Sequence, residues 1–126
     1  MGMSRTVKFA GKALPGWERV RSCLARHNFT VQMRMIDGAL SEPDETPPEG
    51  WHELRVGTPL GMVAVRRGPD WVEIVTWSSA DMLMLHAWNA VAWAYADAGQ
   101  GVVVTEESEL PASEFAKGVE MPESWM

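Results

Sequence analysis

The chain has a single cysteine and a single tyrosine, no internal repeat, and fewer basic than acidic residues, 11 against 17. Each shortage excludes something. Cys23 alone cannot form an intramolecular disulfide, and no N-terminal stretch combines a charged start, an apolar run of roughly 7 to 15 residues and a cleavage site. A reducing, cytoplasmic setting is therefore expected. The longest apolar stretch, Met82 to Ala96, is broken by His86 and Asn89 and falls short of the ~20 residues that span hydrocarbon, so no membrane partner is expected.

Chemistry-bearing motifs are equally scarce. The three histidines, His27, His52 and His86, are scattered and there is no cysteine pair, while Glu106, Glu107 and Glu109 lack the glycine turn and ligand spacing of a calcium loop. No metal site is expected. Gly99-Gln100-Gly101 follows a helical pattern instead of a strand, the wrong order for a dinucleotide fingerprint, and neither a phosphate loop nor a serine elbow is found. The sequence thus offers no cofactor and no catalytic residue. Met1-Gly2 to Thr6 fits a myristoylation template and Asn28-Phe29-Thr30 a glycosylation sequon, but both templates are short and match many unrelated chains.

The charge is unevenly laid out. Through Ile36 the balance is +6, beyond it −12. An acidic remainder of that size repels phosphate, so nucleic acid is not an expected partner, and the basic and acidic stretches read as complementary solvated faces.

What is present is ordinary globular material: 126 residues, 46% hydrophobic and 22% charged, enough to bury about two thirds of the unfolded surface as a single domain, 1–126. Thr6 to Ala10 alternates weakly, as a short strand or arm. Trp17, Val20, Leu24 and His27 recur at helical spacing after Pro15, which predicts an amphipathic N-terminal helix over 15–27. Phe29 to Ile36 has the period of a half-buried strand, stopping at Asp37-Gly38. Ser41 to Gly50 holds three prolines and four acidic residues and predicts an exposed acidic Pro-rich loop, 41–50, the expected nicking site.

Three strand-like runs follow, Trp51 to Val56, Gly61 to Arg67 and Trp71 to Trp77, separated by turn residues too few for a crossover. They predict an antiparallel meander over 51–77. A long C-terminal apolar helix, 79–98, comes next, capped by Ser78 or Ser79 and closed by Gly99. Val102 to Val104 reads as a short buried strand. Glu106 to Met126 is acidic and proline-punctuated and is expected to be a loosely held tail, with a helical turn or two near Ala112 to Lys117 and Trp125 free to dock on a groove. The expected fold is α+β: a sheet of about four to five antiparallel strands with the two helices packed on it.

Candidate functional residues are few. Met82, His86, Asn89, Trp93 and Asp97 share one stripe of the long helix, and His86, Asn89 and Trp93, with His52 joining, can line a ligand pocket between sheet and helix. The same stripe reads better as the polar seam of an otherwise buried helix. Cys23 and His27, four residues apart near Arg19, can be drawn as a thiol and its base, although Cys23 borders the apolar face set by Val20 and Leu24 and fits a small core residue better.

Tryptophan is the anomaly, seven in 126. If Val72, Ile74 and Thr76 face the helix, Trp71 and Trp77 point outward, and a bare face wants a cover. Leu83, Ala87, Ala90 and Ala94 form a second stripe on the long helix that also needs one. These features favour a non-catalytic association module acting as a homodimer. The alternatives are a small-ligand-binding protein or enzyme using the His86 pocket, and a chaperone or immunity-type partner of another protein.

Overall fold

Short connections dictate the middle of the fold, and the two ends of the chain complete it. In chain order the elements are β1 (Gly2–Lys8), α1 (Trp17–Ala25), β2 (Gln32–Ile36), β3 (Ala39–Leu40), β4 (Glu53–Thr58), β5 (Gly61–Arg67), β6 (Trp71–Trp77), α2 (Met82–Gly99), β7 (Val102–Val104), β8 (Glu109–Pro111), α3 (Ala112–Gly118) and a 3₁₀ turn, Glu123–Trp125. The computed structural model describes residues 2–11, 13–77 and 81–125. The proposed caps Ser78 and Ser79 lie outside them.

The strands form one antiparallel sheet in the order β3-β2-β4-β5-β6-β1-β7-β8. The meander β4-β5-β6 is as its turns dictate, with Thr58 opposite Gly61 across Pro59-Leu60. The expected four to five strands become eight among the described residues. One reason is Asp37-Gly38: both residues have positive φ, 50° and 85°, the geometry of a two-residue hairpin turn, so the chain does not merely stop there but folds back as β3. Another is β1, which pairs with β6 from Gly2 opposite Trp77 to Lys8 opposite Trp71 and with β7 on its other side. Its polar Ser4, Arg5 and Thr6 disguise a strand with two neighbours.

α2 lies across the sheet's inner face, where Val7, Leu54, Val56, Val63, Val65, Val72, Ile74 and Val103 are all fully buried. Trp88 Nε1 donates to the carbonyl of Ile74 at 2.8 Å, tying helix to sheet. The helix is capped by Asp81, whose Oδ1 accepts from the N–H of Met84 at 2.9 Å, the usual way an orphan donor of the first turn is satisfied. At the other end Gly99 is still helical and Gln100 takes the left-handed turn, φ 55°. Gly99 is not the left-handed residue expected. A side chain there would strike Phe9 and Pro15, so close packing explains the glycine instead.

The long helix is central, not C-terminal, and its flanks are covered from within the chain by α1 on one side and by α3 with the tail on the other. The segment 106–126, expected to be loosely held, is built in over its described part, 106–125. β8 pairs with β7, Phe115 is fully buried, and Trp125 stacks on His27 at 4.4 Å and 5° while meeting Trp93 and Phe29 edge-on. Three apolar anchors, Leu110, Phe115 and Trp125, outweigh the acidic composition that suggested fraying. The loop 41–50 is exposed, yet it is tied to the body by Met33 N–H to the Pro43 carbonyl at 2.9 Å, by Thr46 to Glu18 at 2.7 Å, and by a buried Pro47. Among the described residues no helix is long and apolar enough to cross a membrane.

Candidate functional site

The polar stripe of α2 meets a different cover at each turn. Asp97 Oδ2 accepts from Cys23 Sγ at 3.3 Å, and Arg26 donates to the same sulfur at 3.1 Å. Trp93 packs edge-on against His27 at 4.9 Å. Asn89 is buried and satisfied twice, accepting from Arg5 Nε at 2.9 Å and donating to the carbonyl of Glu120 at 2.9 Å. Most of the stripe is therefore a seam holding α1, β1 and the tail to the central helix.

Cys23 and His27 are not brought together as thiol and base. His27 lies beyond the last turn of α1 and spends its ring on Trp125 and Trp93. Burial pushes the Cys23 thiol up and the Asp97 carboxylate adds to that, with Arg26 acting in the opposite sense. A thiol kept protonated is a poor nucleophile.

His86 differs from the rest of the seam. Its Nε2 is buried with no hydrogen-bond partner among the described residues, and the nearest carboxylate oxygen, Glu120 Oε2, stands 4.0 Å away. It borders a groove of about 640 Å³ whose walls are Phe29, Pro59, Leu60 and Leu83 on one side and the tail residues Glu120 to Ser124 on the other. Of the four residues proposed for a pocket, only His86 reaches it. Asn89 and Trp93 are occupied in the seam, and His52 is exposed, its backbone N–H bound to Asp37 Oδ1 at 2.7 Å.

The proposed interface residues divide in the same manner. Ala87, Ala90 and Ala94 are fully buried, because small side chains are what lets α1 and α3 approach the central helix. They offer no surface to a partner. Leu83 is exposed beside the His86 groove. Trp71 and Trp77 point away from the helices as the strand period requires, β6 alternating exposed and buried from end to end. On that outer face Met62, Trp71 and Trp77 remain 40%, 37% and 39% exposed, and Met35, Leu40 and Met62 border a shallow groove of about 550 Å³.

The same face carries several charges that are already paired. Arg66 bridges Glu53 at 2.9 Å and Glu73 at 4.0 Å across three adjacent strands, and Lys8 bonds Glu109 at 2.8 Å. Arg55 reaches to the ring of Trp77, 5.4 Å from its centroid, with Ala64 buried between their strands. Missing from the sequence reading was Arg5, which the strand register sets on the inner face among apolar neighbours. The one available signal was the period of β1 counted back from Val7. No protein-family model matches the chain, and neither does any curated protein or solved structure.

Proposed function

We propose that the protein is a non-catalytic association domain, cytoplasmic, whose outer sheet face packs against the same face of a second copy. The observation that carries this is a single sheet layered on one side only, with Trp71, Trp77 and Met62 partly exposed on the other. Pairing by sheet edges is disfavoured, since β3 has only two residues and β8 ends in Pro111. Face packing is left. It suits a second copy because most of the charge on the face is already paired within it, Lys8 with Glu109 and Arg66 with Glu53 and Glu73, while Arg55 lies over the ring of Trp77, which limits the cost of covering it.

Sedimentation equilibrium at micromolar concentration tests the reading. The expected species is twice 14.0 kDa, returning to monomer when Trp77 and Met62 are both changed to Glu. A wild-type monomer that binds no hydrophobic dye overturns it. A chain that is monomeric alone and associates only with a different protein would transfer the face to the chaperone or immunity-type reading.

A second reading rests on His86, which lines an open groove and whose buried Nε2 has no hydrogen-bond partner among the described residues. It makes the protein a small-ligand binder or an enzyme of that groove. A screen of small polar ligands followed by the His86 ring resonances tests it, and resonances that stay fixed across the screen remove it.

A further inference from the structure

Arg5 stands where the strand period calls for an apolar side chain. On β1 it shares the helix-facing side with Val7 and pairs with Ile74, yet it carries a permanent charge. Its guanidinium carbon lies 4.3 Å from the ring centroid of Trp88 and 5.0 Å from that of Phe115. Two rings and the Nε bond to Asn89 fix where the guanidinium sits, and none of these contacts supplies a counter-charge. Among the described residues Arg5 forms no ion pair, although the chain carries an excess of carboxylates. Burial accordingly lowers its pKa.

A partly buried cation without a partner is costly, and the aromatic contacts return only part of that cost. The Nη groups, four N–H donors, bond no acceptor among the described residues and are not sealed from solvent. Arg5 borders a groove of about 510 Å³ with an apolar wall of Trp88, Leu110, Phe115 and Val119 and a polar one running from Thr105 through Glu106 and Glu107 to Ser108. A preorganised guanidinium presenting two parallel donors matches a carboxylate. The apolar wall, Trp88, Leu110, Phe115 and Val119, matches an apolar body on that side, opposite the polar wall of Thr105 to Ser108. The two glutamates penalise a second negative charge on the ligand.

We infer that this groove binds an apolar monocarboxylate, its carboxylate forked on the Arg5 guanidinium and its body against Trp88, Leu110 and Phe115. The site is distinct from the outer sheet face and from the His86 groove.

Isothermal titration of the full chain with octanoate, octanol and inorganic phosphate tests it. Octanoate should bind saturably, octanol at least about tenfold more weakly, and phosphate more weakly than octanoate. Arg5→Lys should lose about tenfold or more, since an ammonium cannot reproduce the fork. Should that variant fold poorly, Glu106→Gln with Glu107→Gln supplies an independent arm. Both side chains are exposed, and their removal should tighten octanoate binding by roughly two- to fivefold by lifting local repulsion. N-acetyl-leucine stands for a polypeptide C-terminus: tighter binding than octanoate assigns the carboxylate to a chain end, weaker binding to a free acid, and either supports the site. No saturation by either acid up to about 10 mM, octanol binding as tightly as octanoate, or a double glutamine variant no tighter than wild type would overturn it.

Discussion

Replacing Gly99 by alanine sets a local preference against a packing contact, and the structure decides the sign. In a helix alanine is better than glycine by roughly 0.5 to 1 kcal/mol, which on propensity alone predicts a small gain. At Gly99, however, a Cβ would stand 2.6 Å from Phe9 Cε1, 2.8 Å from Phe9 Cδ1 and 2.8 Å from Pro15 Cδ. Neither neighbour can give way cheaply, since Phe9 is fully buried and a pyrrolidine ring is rigid. Overpacking of this kind costs about 1 to 3 kcal/mol, so the net expectation is a loss of up to about 2.5 kcal/mol, centred on about 1. With a urea slope of roughly 2 kcal/mol/M the midpoint should fall by about 0.5 M. Gly118, the last residue of α3, is the control: a Cβ there meets nothing within 4 Å, so Gly118→Ala should be neutral or stabilise by up to ~1 kcal/mol. Urea titration followed by tryptophan fluorescence reads both. A Gly99→Ala midpoint equal to or above wild type would refute the assignment of this glycine to close packing.

Four further outcomes follow from single contacts. Asp81→Ala removes the acceptor for the Met84 N–H and should cost about 1 kcal/mol in the same titration, with Asp81→Asn costing less. Thr76 Oγ1 is buried without a partner among the described residues, so Thr76→Val should stabilise, by about 1 kcal/mol in thermal or urea unfolding; destabilisation would show that the hydroxyl is paired in solution. The Asp37 carboxyl is held below its usual range by the backbone N–H groups of Glu53 and His52. A depressed folded-state value stabilises above about pH 4 and the contribution disappears as pH falls through that depressed value, so the stability difference between wild type and Asp37→Asn should be present at neutral pH and vanish in acid. Trp125→Ala should cost about 1 to 3 kcal/mol and open the segment around Glu120 to limited proteolysis, which the intact chain should resist.

How far the fold was legible depends on how local its determinants are. The three meander strands were readable because turn residues and two-residue alternation are local, and α2 because Leu85, Trp88, Val91 and Ala92 advertise a helix whatever surrounds them. β1 was legible only over its end, from Thr6, because Arg5 stands among its three inner-face residues, and only the tertiary clamp of Trp88 and Phe115 makes an arginine acceptable there. The tail was misjudged for the same reason: composition averages over Phe115 and Trp125, while stability is decided by where those two residues land. Burial of α2 was rightly posed as a problem, but the cover sought in a partner came from α1, α3 and the tail. His86 could be named in advance because it interrupts an apolar run. That Asn89 and Trp93 would be consumed by Arg5, Glu120 and His27 needed contacts spanning 84, 31 and 66 positions of chain, and no window of sequence contains them.

The placement of β1 bears on how the chain assembles. Strand β1 is flanked in the finished sheet by β6 and β7, about 70 and 95 residues later in the chain. Until those segments emerge it has no ladder to join, and a strand waiting with both edges open is a template for the wrong pairing. Sheet closure thus waits for β7 and couples β1 to a strand nearly a hundred residues away. Such long-range closure predicts folding in the slow, millisecond-to-second regime. It also predicts that nascent chains halted before Val102 stay protease-sensitive in β1.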